Sequence, residues 1–179
     1  MQRIIDPTRP VNGVSGGAHI LTDIWTVHHY EQDPIKLRDI LYKDGKYFQT
    51  PNYAHPGSRN IGFNEVRDNN NYVFPVYDGR KPYFVDEFGG IKWVSDEKLQ
   101  QLDSKTQTWG YGSAPRTQEE FYERLEGQVD QLLSLSEHVW GYCYTQLTDV
   151  EQEQNGIYNY NRFAKFDMER IRKIFSKKP

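Results

Sequence analysis

Glu87 closes an apolar run and is followed at once by an aromatic ring and two glycines, in the order Lys81-Pro82-Tyr83-Phe84-Val85-Asp86-Glu87-Phe88-Gly89-Gly90. A strand that is apolar on both faces suits a parallel sheet covered by helices. A carboxylate at its C-terminal end stands where such folds place the groups that react. The bland alternative is that Asp86 and Glu87 only mark a solvated strand end.

A second run, Ile20 to Val27, ends in the polar rings His28, His29 and Tyr30. Neighbouring strand residues point to opposite faces, so His28 and His29 cannot chelate one ion while the strand stays regular. His28 shares the face of Tyr30, and His29 is expected to pack toward helices. His55 and His138 add no ligand spacing, so no metal site is expected. Ser15, His28 and Asp86 contain the residue types of a Ser-His-Asp triad, but no G-x-S-x-G elbow supports one. Gly16-Gly17 and Gly89-Gly90 fit no phosphate-cradling pattern and are read as tight turns leaving strands.

Composition narrows the function classes. The chain has 179 residues and a net charge of −3, enough for one domain with a sizeable core and no electrostatic pull toward nucleic acid or anionic membrane. No run approaches the roughly 18 apolar residues of a membrane span. No charged-then-apolar leader is legible, which leaves cytoplasm, periplasm and secretion all open. Cys143 is alone, so neither an internal disulfide nor a cysteine-based zinc site can form. Aromatic residues make up 15% of the chain, and rings with a polar handle suit sugar-binding surfaces as well as ordinary cores.

Four strand-like runs position these groups: Arg9–Ser15, Ile20–Tyr30, the run ending at Glu87, and Val139–Gln146. Asp33 and Pro34 open a short helix around Ile35–Leu41. Residues 42 to about 80 are too long for a plain connector and form either a functional loop or small extra elements. Thr117 and Glu120 make a capping box for a helix whose stripe, Phe121, Leu125, Val129, Leu132 and Leu133, faces a core. A last amphipathic helix is expected from about Asn161 to Phe175. Strand–helix alternation implies right-handed crossovers and a parallel sheet. Long loops after the strands resemble the active face of a (β/α) barrel, which has eight strands in ~250 residues.

The segments Asp6-Pro7-Thr8-Arg9-Pro10-Val11, His28-His29-Tyr30, Glu87-Phe88-Gly89 and Gly141-Tyr142-Cys143-Tyr144-Thr145-Gln146-Leu147-Thr148-Asp149-Val150 follow one another in this order. Together they resemble the C-terminal half of the catalytic TIM barrel of glycoside hydrolase family 2, the family of β-galactosidases, β-glucuronidases and β-mannosidases. The resemblance covers residues 1–179 as strands five to eight with their helices, a half-barrel. It implies a retaining mechanism in which Glu87 is the nucleophile, Tyr30 orients it, and His28 lies at the barrel mouth. The acid/base glutamate of the family ends strand four, ahead of these strands, so the fragment alone is expected to be inactive. Asn64-Glu65 has the same dipeptide but sits in a polar loop after the sixth strand, and is read as a decoy.

Many family members carry a tryptophan near the position of Thr145. Here the nearest rings are Tyr142 and Tyr144, which leaves the sugar undetermined. Gln146 and Asp149 are candidate hydroxyl-binding groups, with a structural loop role the alternative for Asp149. Trp93, Trp109 and Tyr111 either line sugar subsites or anchor the loop after Glu87. The implied partners are a carbohydrate substrate and either the missing N-terminal half-barrel or a second copy closing the barrel, with no cofactor. The competing reading is a non-catalytic carbohydrate-binding or scaffolding module.

Overall fold

Strand β6 (Tyr83–Gly89) is the middle of a parallel three-stranded sheet ordered β1-β6-β7, flanked by β1 (Trp25–His29) and β7 (Gly141–Thr145). The computed structural model describes residues 2–17, 19–49, 66–67, 73–74, 76–94 and 108–179. Within them the chain is a mixed α/β fold. Tyr83, Val85 and Phe88 of β6 are fully buried, as the apolar run requires.

The chain starts with a one-turn helix α1 (Gln2–Ile5), and α2 (Pro34–Leu41) follows β1. Asp33 caps α2 by accepting from the amides of Ile35 and Lys36, and Pro34 supplies a preset φ at its first turn. Leu37 and Leu41 face the core. The segment 42–80 does contain small elements: a hairpin of β2 (Tyr42–Lys43) and β3 (Lys46–Tyr47), and a pair β4 (Val66–Arg67) and β5 (Val73–Phe74). Asp44 and Gly45 both have positive φ, as a two-residue hairpin turn demands.

Helix α3 (Gln118–Ser134) packs against α2 and buries Phe121, Leu125, Val129 and Leu132. Its cap differs in detail from the expected box. The Thr117 hydroxyl accepts from the Glu120 amide, but the Glu120 carboxylate reaches back to the amide of Arg116, one residue further out. Helix α4 (Met168–Phe175) is shorter than the pattern from Asn161 suggested. Asp167 caps it, the Asn159 side chain folds a turn onto Phe163, and Phe163 is exposed. Phe166 alone of that upstream segment enters the core, stacked at 4.0 Å on Phe121.

The first expected strand does not form. Residues 9–17 are loop and turn. Their backbone is claimed by side chains just before and within β1: Asp23 accepts from Val11 N, and Thr26 Oγ1 accepts from Gly16 N. The buried ring of His19 then occupies the outer edge of β1, its Nε2 within hydrogen-bonding distance of both the amide and the carbonyl of Thr26. A side chain, not a neighbouring strand, satisfies that edge.

Candidate active site

The parallel strands place Tyr30, Glu87 and Gln146 at one end of the sheet, the C-terminal ends of β1, β6 and β7. Register shifts interrupt both ladders here, between Val27 and His28 and between Val85 and Phe88. These irregularities re-aim side chains. Asp86 and Glu87, which a regular strand would point to opposite faces, both reach His28: Asp86 Oδ1 lies 3.3 Å from its Nε2 and Glu87 Oε2 lies 3.4 Å from its Nδ1.

Glu87 also accepts the hydroxyl proton of Tyr30 through Oε2. Among the described residues nothing hydrogen-bonds Oε1, so one oxygen is held and the other is not. The Tyr30 phenol is pushed far above its ordinary range, first by burial and then by its bond to the Glu87 carboxylate. It therefore remains a donor at any ordinary pH. Its ring stacks on Tyr111 with centroids 3.5 Å apart, and burial raises the Tyr111 phenol too. Gly90 makes this stack possible, because a Cβ there would stand 2.3 Å from the Tyr111 ring.

Gly16, at φ +58, is required in the same way, since a Cβ on it would lie 2.1 Å from the His28 ring. Beside it, the Ser15 hydroxyl donates to Asp86 Oδ2 at 2.6 Å and lies 3.1 Å from His28 Nε2. Ser15, His28 and Asp86 thus do meet, but not as a nucleophilic triad. Serine and aspartate face the same imidazole nitrogen, whereas a triad needs them on opposite nitrogens. The serine proton is directed at Asp86. His29 turns away and packs edge-on against Phe48, and burial lowers its pKa.

The other expected site residues separate. Trp109 is 47% exposed, next to Tyr111. Trp93 anchors its loop instead, half-buried against Phe166. Tyr144 is packed between Phe88 and Phe175, with its hydroxyl donating to the Asn155 carbonyl. Gln146, joined to Thr145 by a cis peptide bond, donates to Asn155 Oδ1 at 2.8 Å. Asp149 is turned inward: it accepts from the Gly156 amide and pairs with Lys165 at 2.8 Å, with side-chain exposures of 1% and 9% for Asp149 and Lys165.

Several contributors carry no local sequence signal. Gln32 Nε2 donates to the carbonyls of Tyr30 and Gly89, tying the ends of β1 and β6 together, while its Oε1 accepts from Arg124 of α3. Gln128 of the same helix donates to the Glu31 carbonyl. Asn64 and Glu65, and His55, lie outside the described residues. Among the described residues no cluster of His, Cys, Asp and Glu could hold a metal ion, and no helix is long and apolar enough to cross a membrane. Compared with known proteins, the chain matches no family model and no curated sequence.

Proposed function

We propose that this chain is the nucleophile-bearing half of a retaining β-glycosidase barrel like that of glycoside hydrolase family 2. In this reading β1, β6 and β7 are strands six, seven and eight. Residues 9–17 take the place of strand five without pairing. One observation carries the reading: Glu87 lies near the C-terminal end of the central strand, with Oε2 bonded by the Tyr30 hydroxyl and 3.4 Å from the His28 ring, and with no hydrogen bond to Oε1 among the described residues.

The chemistry follows from that arrangement. A carboxylate attacking an anomeric carbon must be ionised and fixed in aim. The Tyr30 hydroxyl and the His28 ring bind Oε2 and leave Oε1 to form the bond. As the O–C bond forms, the bond to the leaving oxygen breaks, and that oxygen needs a proton unless it leaves readily as an anion. Glu87 cannot supply the proton while it attacks. The acid comes from outside this cluster, in the family order from strand four, so turnover requires the half-barrel that carries that strand; a second copy would close the barrel without supplying the acid.

The test avoids the missing acid. A 2,4-dinitrophenyl 2-deoxy-2-fluoro-β-glycoside, galacto or gluco, expels a stable anion, so the nucleophile alone suffices. Intact mass spectrometry should show one glycosyl adduct on the wild-type chain and none on Glu87→Gln. Equal labelling of both refutes the role of Glu87. The exposed ring of Trp109 favours a second reading, a sugar-binding module without catalysis. Sugar binding unchanged by Glu87→Gln together with no labelling supports that alternative.

A further inference from the structure

We propose that Asp86 and Ser15 are positioning residues for the nucleophile: they hold a proton on Nε2 of His28, so that the ring braces Glu87 only when it carries its second proton. The inference rests on the glycosidase reading and adds a proton-dependent regulation of that site.

The imidazole of His28 has acceptors at both nitrogens. The Ser15 hydroxyl at 3.1 Å and Asp86 Oδ1 at 3.3 Å stand at Nε2, and Glu87 Oε2 stands at Nδ1, 3.4 Å away. The loop that carries Ser15 closes over the ring. Its Gly16 donates to Thr26 Oγ1 and lies so near that a Cβ there would stand 2.1 Å from His28.

The polarity of these contacts decides where the ring's protons sit. The Ser15 hydroxyl gives its own proton to Asp86 Oδ2 at 2.6 Å, so toward Nε2 it acts as an acceptor. Asp86 Oδ1 is buried and, among the described residues, accepts no hydrogen bond, while His28 Nε2 lies within ion-pair distance of it. A buried carboxylate oxygen with no proton to accept is costly. Both neighbours therefore call for a proton on Nε2, and the partner of one ring nitrogen sets the tautomer.

A neutral ring held this way turns the lone pair of Nδ1 against Glu87 Oε2. That repulsion works against the aim that Tyr30 gives the carboxylate. A second proton makes both nitrogens donors. The imidazolium then spans Asp86 and Glu87, braces Oε2 beside the Tyr30 hydroxyl and favours an ionised nucleophile. The charged partners at the ring are Asp86 and Glu87 of β6; Ser15 and Gly16 of the loop bring no charge, and Tyr30 of β1 acts through Glu87. Among the described residues neither carboxylate pairs with a lysine or arginine.

Asp86→Asn separates this role from simple packing. The carboxamide keeps the shape and can donate to Nε2, which moves the proton of a neutral ring to Nδ1, facing Glu87. Nitrogen NMR of the histidine rings at about pH 8, with His28→Gln to assign the signal, reads the tautomer. The wild-type ring should carry its proton on Nε2, and the Asp86→Asn ring on Nδ1.

In labelling by the activated fluoro-sugar, Glu87 Oε1 bonds to the anomeric carbon and the dinitrophenolate departs with its electron pair. The wild-type rate should fall roughly three- to tenfold from about pH 5.5 to 8, and by less than about twofold in Asp86→Asn. Ser15→Ala, which frees Asp86 from its second anchor, should weaken the pH dependence less than Asp86→Asn does. A neutral wild-type ring protonated on Nδ1, or a pH dependence that Asp86→Asn leaves intact, overturns the proposal, and labelling of Glu87 then keeps the glycosidase reading standing. If no label is taken up at any pH, both fall.

Discussion

The hydroxyl of Tyr30 and the carboxylate of Glu87 meet across the parallel pair of β1 and β6, where the ladder slips after Val27. A hydrogen bond to a charged acceptor contributes about 1.5–3 kcal/mol. Tyr30→Phe removes it and leaves the ring stack on Tyr111 in place. Labelling of Glu87 by the activated fluoro-sugar should slow by roughly 10- to 100-fold. A rate within about twofold of wild type would show that the phenol does not serve the nucleophile.

Gln32 sets the distance over which that bond forms, since one amide group holds the carbonyls of Tyr30 and Gly89 at 3.0 and 2.6 Å. Gln32→Met keeps length and loses both bonds. The Tyr30 phenol, raised by burial and then by Glu87, should then fall toward its ordinary value of 10.0. Carbon NMR of tyrosine ring carbons, with Tyr30→Phe to assign the signal, follows it. Arg124→Met, which loosens Gln32 indirectly, should give a smaller change in the same direction. A Tyr30 titration unmoved in Gln32→Met would reduce Gln32 to a packing residue.

His29 makes stability depend on pH. Burial holds its folded-state pKa below the unfolded value of 6.5, with the Glu31 charge opposing in part. Between those values the unfolded chain binds a proton that the folded chain refuses. Stability from this residue is therefore intact above about pH 6.5 and is lost as the pH falls through the folded value. His29→Asn keeps an acceptor for the Glu31 amide, which His29 Nδ1 now binds at 3.1 Å, and removes the titration. Urea midpoints at about pH 7.5 and 5 should fall further in wild type than in the variant. Parallel losses would contradict the assignment.

Lys165 and Asp149 form a buried ion pair, so removing one charge leaves the other buried without its counter-charge. Lys165→Met should cost about 3–5 kcal/mol in chemical denaturation. Asp149→Asn should likewise destabilise the chain while leaving the rate of Glu87 labelling by the activated fluoro-sugar within about twofold of wild type. A larger change in that rate would tie Asp149 to the proposed sugar site.

Much of the sheet was legible because its signals are local. The apolar run into Glu87 and the Thr117 cap fix β6 and the start of α3 within a few residues. Arg9–Ser15 misled because its apolar residues look strand-like, while the edge of β1 that it would pair with is taken by a side chain, that of His19 just beyond the run. The helix expected from Asn161 failed for a related reason, as Asn159 and Asp167 offered competing local hydrogen bonds. At the site, Glu87, Tyr30 and His28 were readable from strand ends. The convergence of Asp86 and Glu87 on one imidazole was not, because alternation forbids it and only the bulges permit it. Gln128 and Gln32 act through tertiary contacts that leave no trace in spacing.

Tandem mass spectrometry of the glycosyl-labelled chain, digested and read residue by residue, goes straight to the atom on which the account depends. One acid-stable, base-labile ester on the side chain of Glu87 is the expected result. An ester on Asp86, Glu153 or Glu65 instead, or a chain that takes up no sugar from either fluoro-glycoside, would contradict it.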